Sequence, residues 1–263
     1  MAAIVISHLK KQFSSTVPLL SQKTSTFCGR KNFIIACDDI SLTVKKGELL
    51  SIIGPNGSGK TTILKILSTI ILPDEGSITV DGYDIRKNSV RVRESISFVT
   101  SEHNNFYVRL TGRQNLEFFA SLYRLAGEAM RRKIDELADF LEIKDSLDIM
   151  FQEYSSGIKQ RFLLARGLLR DALVFLFDEP LKNLDPGISL RLRTYIKEKL
   201  VKKNGKTVLL TGHMLSEISE ISDRIAILKK GSIKACGNFI QLRDGAGIKD
   251  NDLNRIYQFY VNN

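Results

Sequence analysis

Apolar residues along this chain change period several times, and each change marks an element. Ile40, Leu42 and Val44 alternate with polar neighbours, which predicts a strand with one face in water. The run Leu49-Leu50-Ser51-Ile52-Ile53 predicts a second strand, and Gly76 to Val80 followed by Asp81-Gly82 predicts a strand closed by a hairpin turn. From 116 the period becomes helical: Leu116, Phe119, Ala120 and Tyr123 share a face, Gly127 interrupts, and Met130, Ile134, Leu137, Ala138 and Leu141 resume it. Ile158, Phe162, Ala165 and Leu169 predict another helix. The continuous run Leu173 to Phe177 reads as a strand buried on both faces, and Val208-Leu209-Leu210 as one more strand. Leu253, Ile256, Tyr257 and Tyr260 form an apolar helical face that should pack on the domain. The order is therefore a β-rich start, a mixed core, a helical insert, and the core again.

Chemistry sits at the ends of two of these strands. After Ile53 comes Gly54-Pro55-Asn56-Gly57-Ser58-Gly59-Lys60-Thr61-Thr62, a complete phosphate-loop pattern in a strand-to-helix setting. Its glycines allow backbone angles closed to other residues, so successive N–H groups can turn inward on a phosphate at a helix N-terminus. Lys60 should reach the β- and γ-phosphates, Thr61 offers a hydroxyl to Mg²⁺, and Thr62 is a spare hydroxyl beside it. The buried run ending at Phe177 is followed by Asp178-Glu179-Pro180. There Asp178 would hold Mg²⁺, directly or through water, and Glu179 would polarise an attacking water. Alone, two acids at a strand end would be an ordinary solvated terminus; their order after Lys60 favours catalysis.

Between the two lies Tyr154-Ser155-Ser156-Gly157-Ile158-Lys159-Gln160-Arg161, which resembles the signature motif of the ATP-binding subunits of ABC transporters. Leu181-Lys182-Asn183-Leu184-Asp185-Pro186 resembles the loop that crosses the dimer in that family, and Thr211-Gly212-His213 its switch histidine. The resemblance covers about residues 1 to 235. It implies an α/β fold: a P-loop NTPase core with a mostly parallel sheet, an N-terminal antiparallel β subdomain, and a helical subdomain inserted at about 102–165. Residues 236–263 would be a short extension with a helix.

The resemblance also implies an ATPase using ATP and Mg²⁺. Ser155, Ser156 and Gly157 would meet the nucleotide of a second subunit, because a helix start with small residues exposes N–H groups and a positive dipole end. A plain serine-capped helix would have the same sequence. Glu179 and His213 would be catalytic, and Asp185 would help set the dimer interface. The adenine-stacking aromatic falls on Phe13, favoured, or on Phe33 beyond an apparent insertion from 14 to 32. Partners would be integral membrane subunits and a second copy or second ATPase, with the chain peripheral on the cytoplasmic membrane face.

Departures from the family pattern narrow this further. Ser156 stands where glycine is usual, Ile158 where glutamine is, and Lys182 where serine is. Ser101 takes the place of a glutamine that spans to Mg²⁺, and its hydroxyl is too short for that gap; Glu102 or a water would substitute, or the coupling is altered. The Ser101-Glu102 and Phe106-Tyr107 pairs, the stretch Arg109 to Leu116 and the Tyr-Ser-Ser-Gly signature together resemble an exporter-type branch handling drugs, lipophilic compounds, ions or surface glycans.

Composition changes little. A chain of 263 residues that is 43% hydrophobic can fill a sizeable core. It has no apolar stretch near the about 18 residues a membrane span needs and no secretory start, so a cytosolic protein is expected. A net charge of +10 raises nucleic acid or anionic lipid as partners. The basic residues, however, form short scattered groups such as Arg131-Arg132-Lys133 without interleaved aromatics, so no specific nucleic acid is expected. Cys28, Cys37 and Cys236 have no ligand spacing and read as reduced thiols. An alternative role, a soluble ABC ATPase working on DNA or ribosomes, usually comes with a long coiled coil or tandem cassettes, and neither is present. A monomeric P-loop kinase would leave residues 154–161 unexplained.

Overall fold

The computed structural model describes residues 1–15, 32–100, 106–212, 215–250 and 252–262. Two sheets carry the fold. Strands β1 (Ala2–Ser15), β2 (Asn32–Lys45), β4 (Glu75–Val80) and β5 (Tyr83–Asp84) form an antiparallel sheet in the order β2-β1-β4-β5. In β2 the predicted alternation holds: Ile40, Leu42 and Val44 are buried while Ser41 and Thr43 are exposed.

The second sheet has the order β10-β9-β3-β8-β7-β6, built from β3 (Leu49–Ile53), β6 (Ile96–Val99), β7 (Val174–Asp178), β8 (Thr207–Gly212), β9 (Arg224–Lys229) and β10 (Ser232–Gly237). All its pairings are parallel except β9 with β10. Strands β3 and β7 are buried at every residue, which is why their sequences run apolar without alternation. Their side chains still alternate between faces. Phe175 and Phe177 join a core shared with the helical layer, while Val174 and Leu176 join the core lying toward the antiparallel sheet.

Helices α1 (Lys60–Leu67) and α2 (Ser89–Ser95) belong to the sheet layers; α3 (Gly112–Leu122), α4 (Gly127–Phe140) and α5 (Ser156–Leu169) make the helical insert. Helix α3 begins four residues before its first apolar position, because Thr111 and Gln114 close a reciprocal capping box. A bridge between Thr111 and Met150 ties the base of the insert together. Helix α5 packs so closely on β6 that a Cβ added at Gly167 would lie 2.1 Å from a Val99 methyl.

Helix α6 (Pro186–Thr194) continues as a π-helix through Tyr195–Lys203, and α7 (Leu215–Ile221), α8 (Phe239–Gly245) and α9 (Leu253–Asn262) complete the chain. Leu253 and Ile256 of α9 are buried in the main core, and the Tyr260 hydroxyl donates to the Leu242 carbonyl at 3.1 Å. The predicted apolar face of the last helix does pack on the domain. Among the described residues no helix is long and apolar enough to cross a membrane.

Candidate functional site

Parallel pairing brings the C-terminal ends of β3, β7 and β8 to one edge, the usual place for a site in an open α/β sheet. From β3 the chain turns through Gly54–Gly59 and enters α1 at Lys60. Gly57 and Gly59 have φ of 76° and 107°, and a Cβ on Gly59 would fall 2.1 Å from the Ala36 carbonyl oxygen, so only glycine fits there. The Lys60 ammonium is buried inside the loop and donates to the carbonyls of Gly54 at 2.8 Å and Pro55 at 3.1 Å. Burial lowers its pKa, against the pull of the Glu179 and Asp178 carboxylates, which act to raise it. A buried cation held by two neutral carbonyls is poised for an anion.

The first helical hydroxyl reaches the second strand end. Thr61 Oγ1 donates to Asp178 Oδ1 at 3.2 Å. Strand register sets Asp178 opposite Thr211, whose hydroxyl donates to the same Oδ1 at 2.6 Å. Thr211 also receives the Glu179 N–H, at its Oγ1 (3.1 Å) and at its carbonyl (3.2 Å). Glu179 takes φ of 52°, a left-handed angle uncommon for a residue with a side chain. Its carboxylate lies 3.6 Å from the Lys182 ammonium. A hydroxyl and a carboxylate oxygen at the phosphate end of the loop form an all-oxygen donor pair that suits a hard divalent cation such as Mg²⁺.

A cleft of about 280 Å³ runs over the loop, lined by Asn56 to Thr62, Glu179, Ala36, Phe13 and Ile34. Phe13 and Ile34 are opposite each other across β1 and β2, so they share a face. Phe33, one residue away in register, does not line this cleft and is 56% exposed. A second cavity of about 510 Å³ joins Asn56 and Glu179 to Lys182, Asn183 and Thr211.

The signature segment begins a helix, as its sequence predicts. Ser155 caps α5, its hydroxyl receiving the Ile158 N–H at 3.3 Å, and Ser155 and Ser156 are exposed. None of Ser155, Ser156 and Gly157 lines the cleft over the chain's own phosphate loop. Tyr154 is buried; it stacks on Phe162 with centroids 4.7 Å apart and donates to the Ile149 and Ser146 carbonyls. Burial pushes its hydroxyl up to about 12, so it stays a neutral donor. Ile158 packs partly buried against the core, where a glutamine would expose polar atoms.

Asp185 caps α6 through the Ile188 N–H at 3.0 Å and pairs with Arg161 at 2.5 Å. The Ile188 N–H, with the Arg161 guanidinium adding to it, holds its carboxyl below the ordinary range against the opposing effect of burial. Ser101 and His213 lie outside the described residues, as do Glu102 and Cys28. Three residues at the site were not singled out from sequence: Thr211 as the link between both acids, Ile34 in the cleft wall, and Gln160 beneath the turn after β7.

Residues 37–182 match the ABC transporter family. Among similar proteins is the ABC transporter ATP-binding protein NatA of Bacillus subtilis, 31% identical over 90% of this chain and 95% of its own length. The doxorubicin resistance ATP-binding protein DrrA of Mycobacterium tuberculosis is 37% identical over 82% of this chain and 65% of its own length. This chain thus matches about two thirds of that longer relative. A solved dimeric post-hydrolysis state of an ATP-binding cassette, bound to ADP and Pi, superposes with a TM-score of 0.76 at 26% identity, covering 89% of this chain and 98% of that one. The structure of an ATP-binding subunit of an ABC transporter covers 98% of this chain with a TM-score of 0.82 at 23% identity, a likeness of fold.

Proposed function

We propose that this chain, which belongs to the ABC transporter family and is an ATPase that takes ATP with Mg²⁺, works as one half of a dimeric motor that powers export through separate membrane subunits. The observation that carries the reading is the division of the site. Lys60, Thr61, Asp178 and Glu179 converge at one sheet edge, while the capped start of α5 lies away from that cleft. A second copy is what would bring such a helix start to a γ-phosphate.

In this reading Phe13 stacks on adenine, the loop N–H groups from Asn56 to Thr62 and the Lys60 ammonium hold the β- and γ-phosphates, and Ser155 to Gly157 of the opposing chain close on the γ-phosphate. Gly54 and Pro55 lend Lys60 their carbonyls until the phosphates replace them. Thr61 and Asp178 would hold Mg²⁺, which neutralises phosphate charge when bound. Glu179 takes a proton from the attacking water as its oxygen bonds to the γ-phosphorus, and the bond to the β-phosphate bridging oxygen breaks, leaving ADP and phosphate. His213 would orient that water, Asp185 would brace the dimer-facing loop, and Ser101 falls short of the cation, leaving its neighbour Glu102 or a water to bridge. The relative named for doxorubicin resistance supports export, and the position would be peripheral, on the cytoplasmic membrane face.

The test is Glu179→Gln. With ATP and Mg²⁺ it should retain nucleotide, lose turnover by orders of magnitude, and elute as a dimer in size exclusion. Unchanged turnover would remove Glu179 as the base, and a monomer with ATP bound would remove the dimer.

A further inference from the structure

One polar side chain of the signature helix is spent away from both nucleotide surfaces. Gln160 is fully buried, a position where glutamine carries a desolvation cost that leucine would avoid. Its Nε2 donates to the Pro180 carbonyl at 3.2 Å, while its Oε1 has no partner among the described residues. The burial is thus accepted for one bond, and that bond ends on the residue directly after Glu179.

The turn it grips is a strained one. Glu179 sits at φ of 52° and Asn183 at 60°, so the segment after β7 needs outside restraint to hold one shape. On its N-terminal side the restraint is Thr211, which takes the Glu179 N–H. Beyond it, helix α5 runs alongside the loop. Gln160 meets Pro180, a Cβ on Gly157 would sit 3.1 Å from the Asn183 carbonyl oxygen, and Arg161 pairs with Asp185. The first two turns of α5 are therefore braced against the loop that carries Glu179.

We infer that Gln160 is a positioning residue for the Glu179 carboxylate: its bond to Pro180 fixes the turn after β7 and links the placement of α5 to the attacking-water side of the chain's own site. This rests on Glu179 acting as the base. Closure of a partner nucleotide on Ser155 would then bear on catalysis in the same chain, through a rigid helix and one amide.

Three variants measured beside the wild type test it. Gln160→Leu keeps the volume and removes the donor; kcat for ATP should fall about tenfold, with KM and equilibrium ATP affinity within twofold. Gln160→Glu supplies a carboxyl that can donate to Pro180 only while protonated, and burial favours that neutral form. Its kcat relative to wild type should approach one near pH 6, where the donor is restored, and fall as the pH rises; recovery at low pH while Gln160→Leu stays about tenfold down there is what a packing role would not produce. Glu179→Gln is the control for the base. A Gln160→Leu enzyme with kcat within twofold of wild type, or a Gln160→Glu ratio flat in pH, would overturn the positioning role while Glu179→Gln remains inactive. An active Glu179→Gln would instead overturn the reading on which it rests. Should Gln160→Leu fail to fold, the pH profile of Gln160→Glu decides alone.

Discussion

Replacing Thr211 by valine keeps the shape of a fully buried side chain and removes one hydroxyl. That hydroxyl donates to the Asp178 carboxylate at 2.6 Å and accepts the Glu179 N–H at 3.1 Å. A hydrogen bond to a charged group contributes about 1.5–3 kcal/mol and a neutral one about 0.5–1.5 kcal/mol. The second loss is softened because the Glu179 N–H keeps the Thr211 carbonyl at 3.2 Å. The first is aggravated because Asp178 is 3% exposed and water cannot take the hydroxyl's place. Together the change should cost roughly 2–4 kcal/mol, a drop of roughly 4–8 °C in melting temperature for a chain of this size. Thermal unfolding of the nucleotide-free protein reads it directly, and Thr211→Ser, which restores the hydroxyl, should recover most of the loss. A fall below about 1 °C for Thr211→Val would refute the claim that this hydroxyl ties the two acids together.

Two further outcomes follow from the geometry. Phe13→Ala should weaken ATP binding several-fold in a fluorescent-nucleotide titration while Phe33→Ala leaves it within twofold, because only Phe13 lines the cleft; equal effects would remove the assignment. Asp185 has a depressed folded pKa, so its stabilising effect is present above the ordinary aspartate range and is lost as the pH falls through the depressed value. Asp185→Asn should therefore melt below wild type at pH 7, and the gap should begin to narrow as the pH falls below about 4 and close beneath the depressed value. A gap that persists there would assign the effect to packing.

Much of the site was readable because its signals are local. A complete loop pattern between a strand and a helix needs no tertiary information, and a run such as Leu173 to Phe177 announces burial on both faces. Asp185 before Pro186 is a helix start by the same kind of rule. What sequence left open depends on register between distant segments. Thr211 acts on Asp178 only because β7 and β8 pair in parallel. Phe13 and Phe33 part ways because they fall on different faces of a ribbon whose pairing sets Phe13 against Ile34. Gln160 looked like one more residue of the signature; its value lies in a carbonyl twenty positions on. The early start of α3 is a local signal too, since Thr111 and Gln114 stand at capping-box spacing just ahead of the apolar pattern.

The central claim is that the start of α5 completes the site of the opposite chain. It is tested most directly by a mixed dimer of a tagged Ser155→Arg chain and an untagged, otherwise unaltered chain, both carrying Glu179→Gln, loaded with photo-crosslinkable ATP. The account predicts that label persists on the Ser155→Arg chain, whose loop faces an intact signature, and disappears from its partner. Loss of label from the Ser155→Arg chain alone would contradict it.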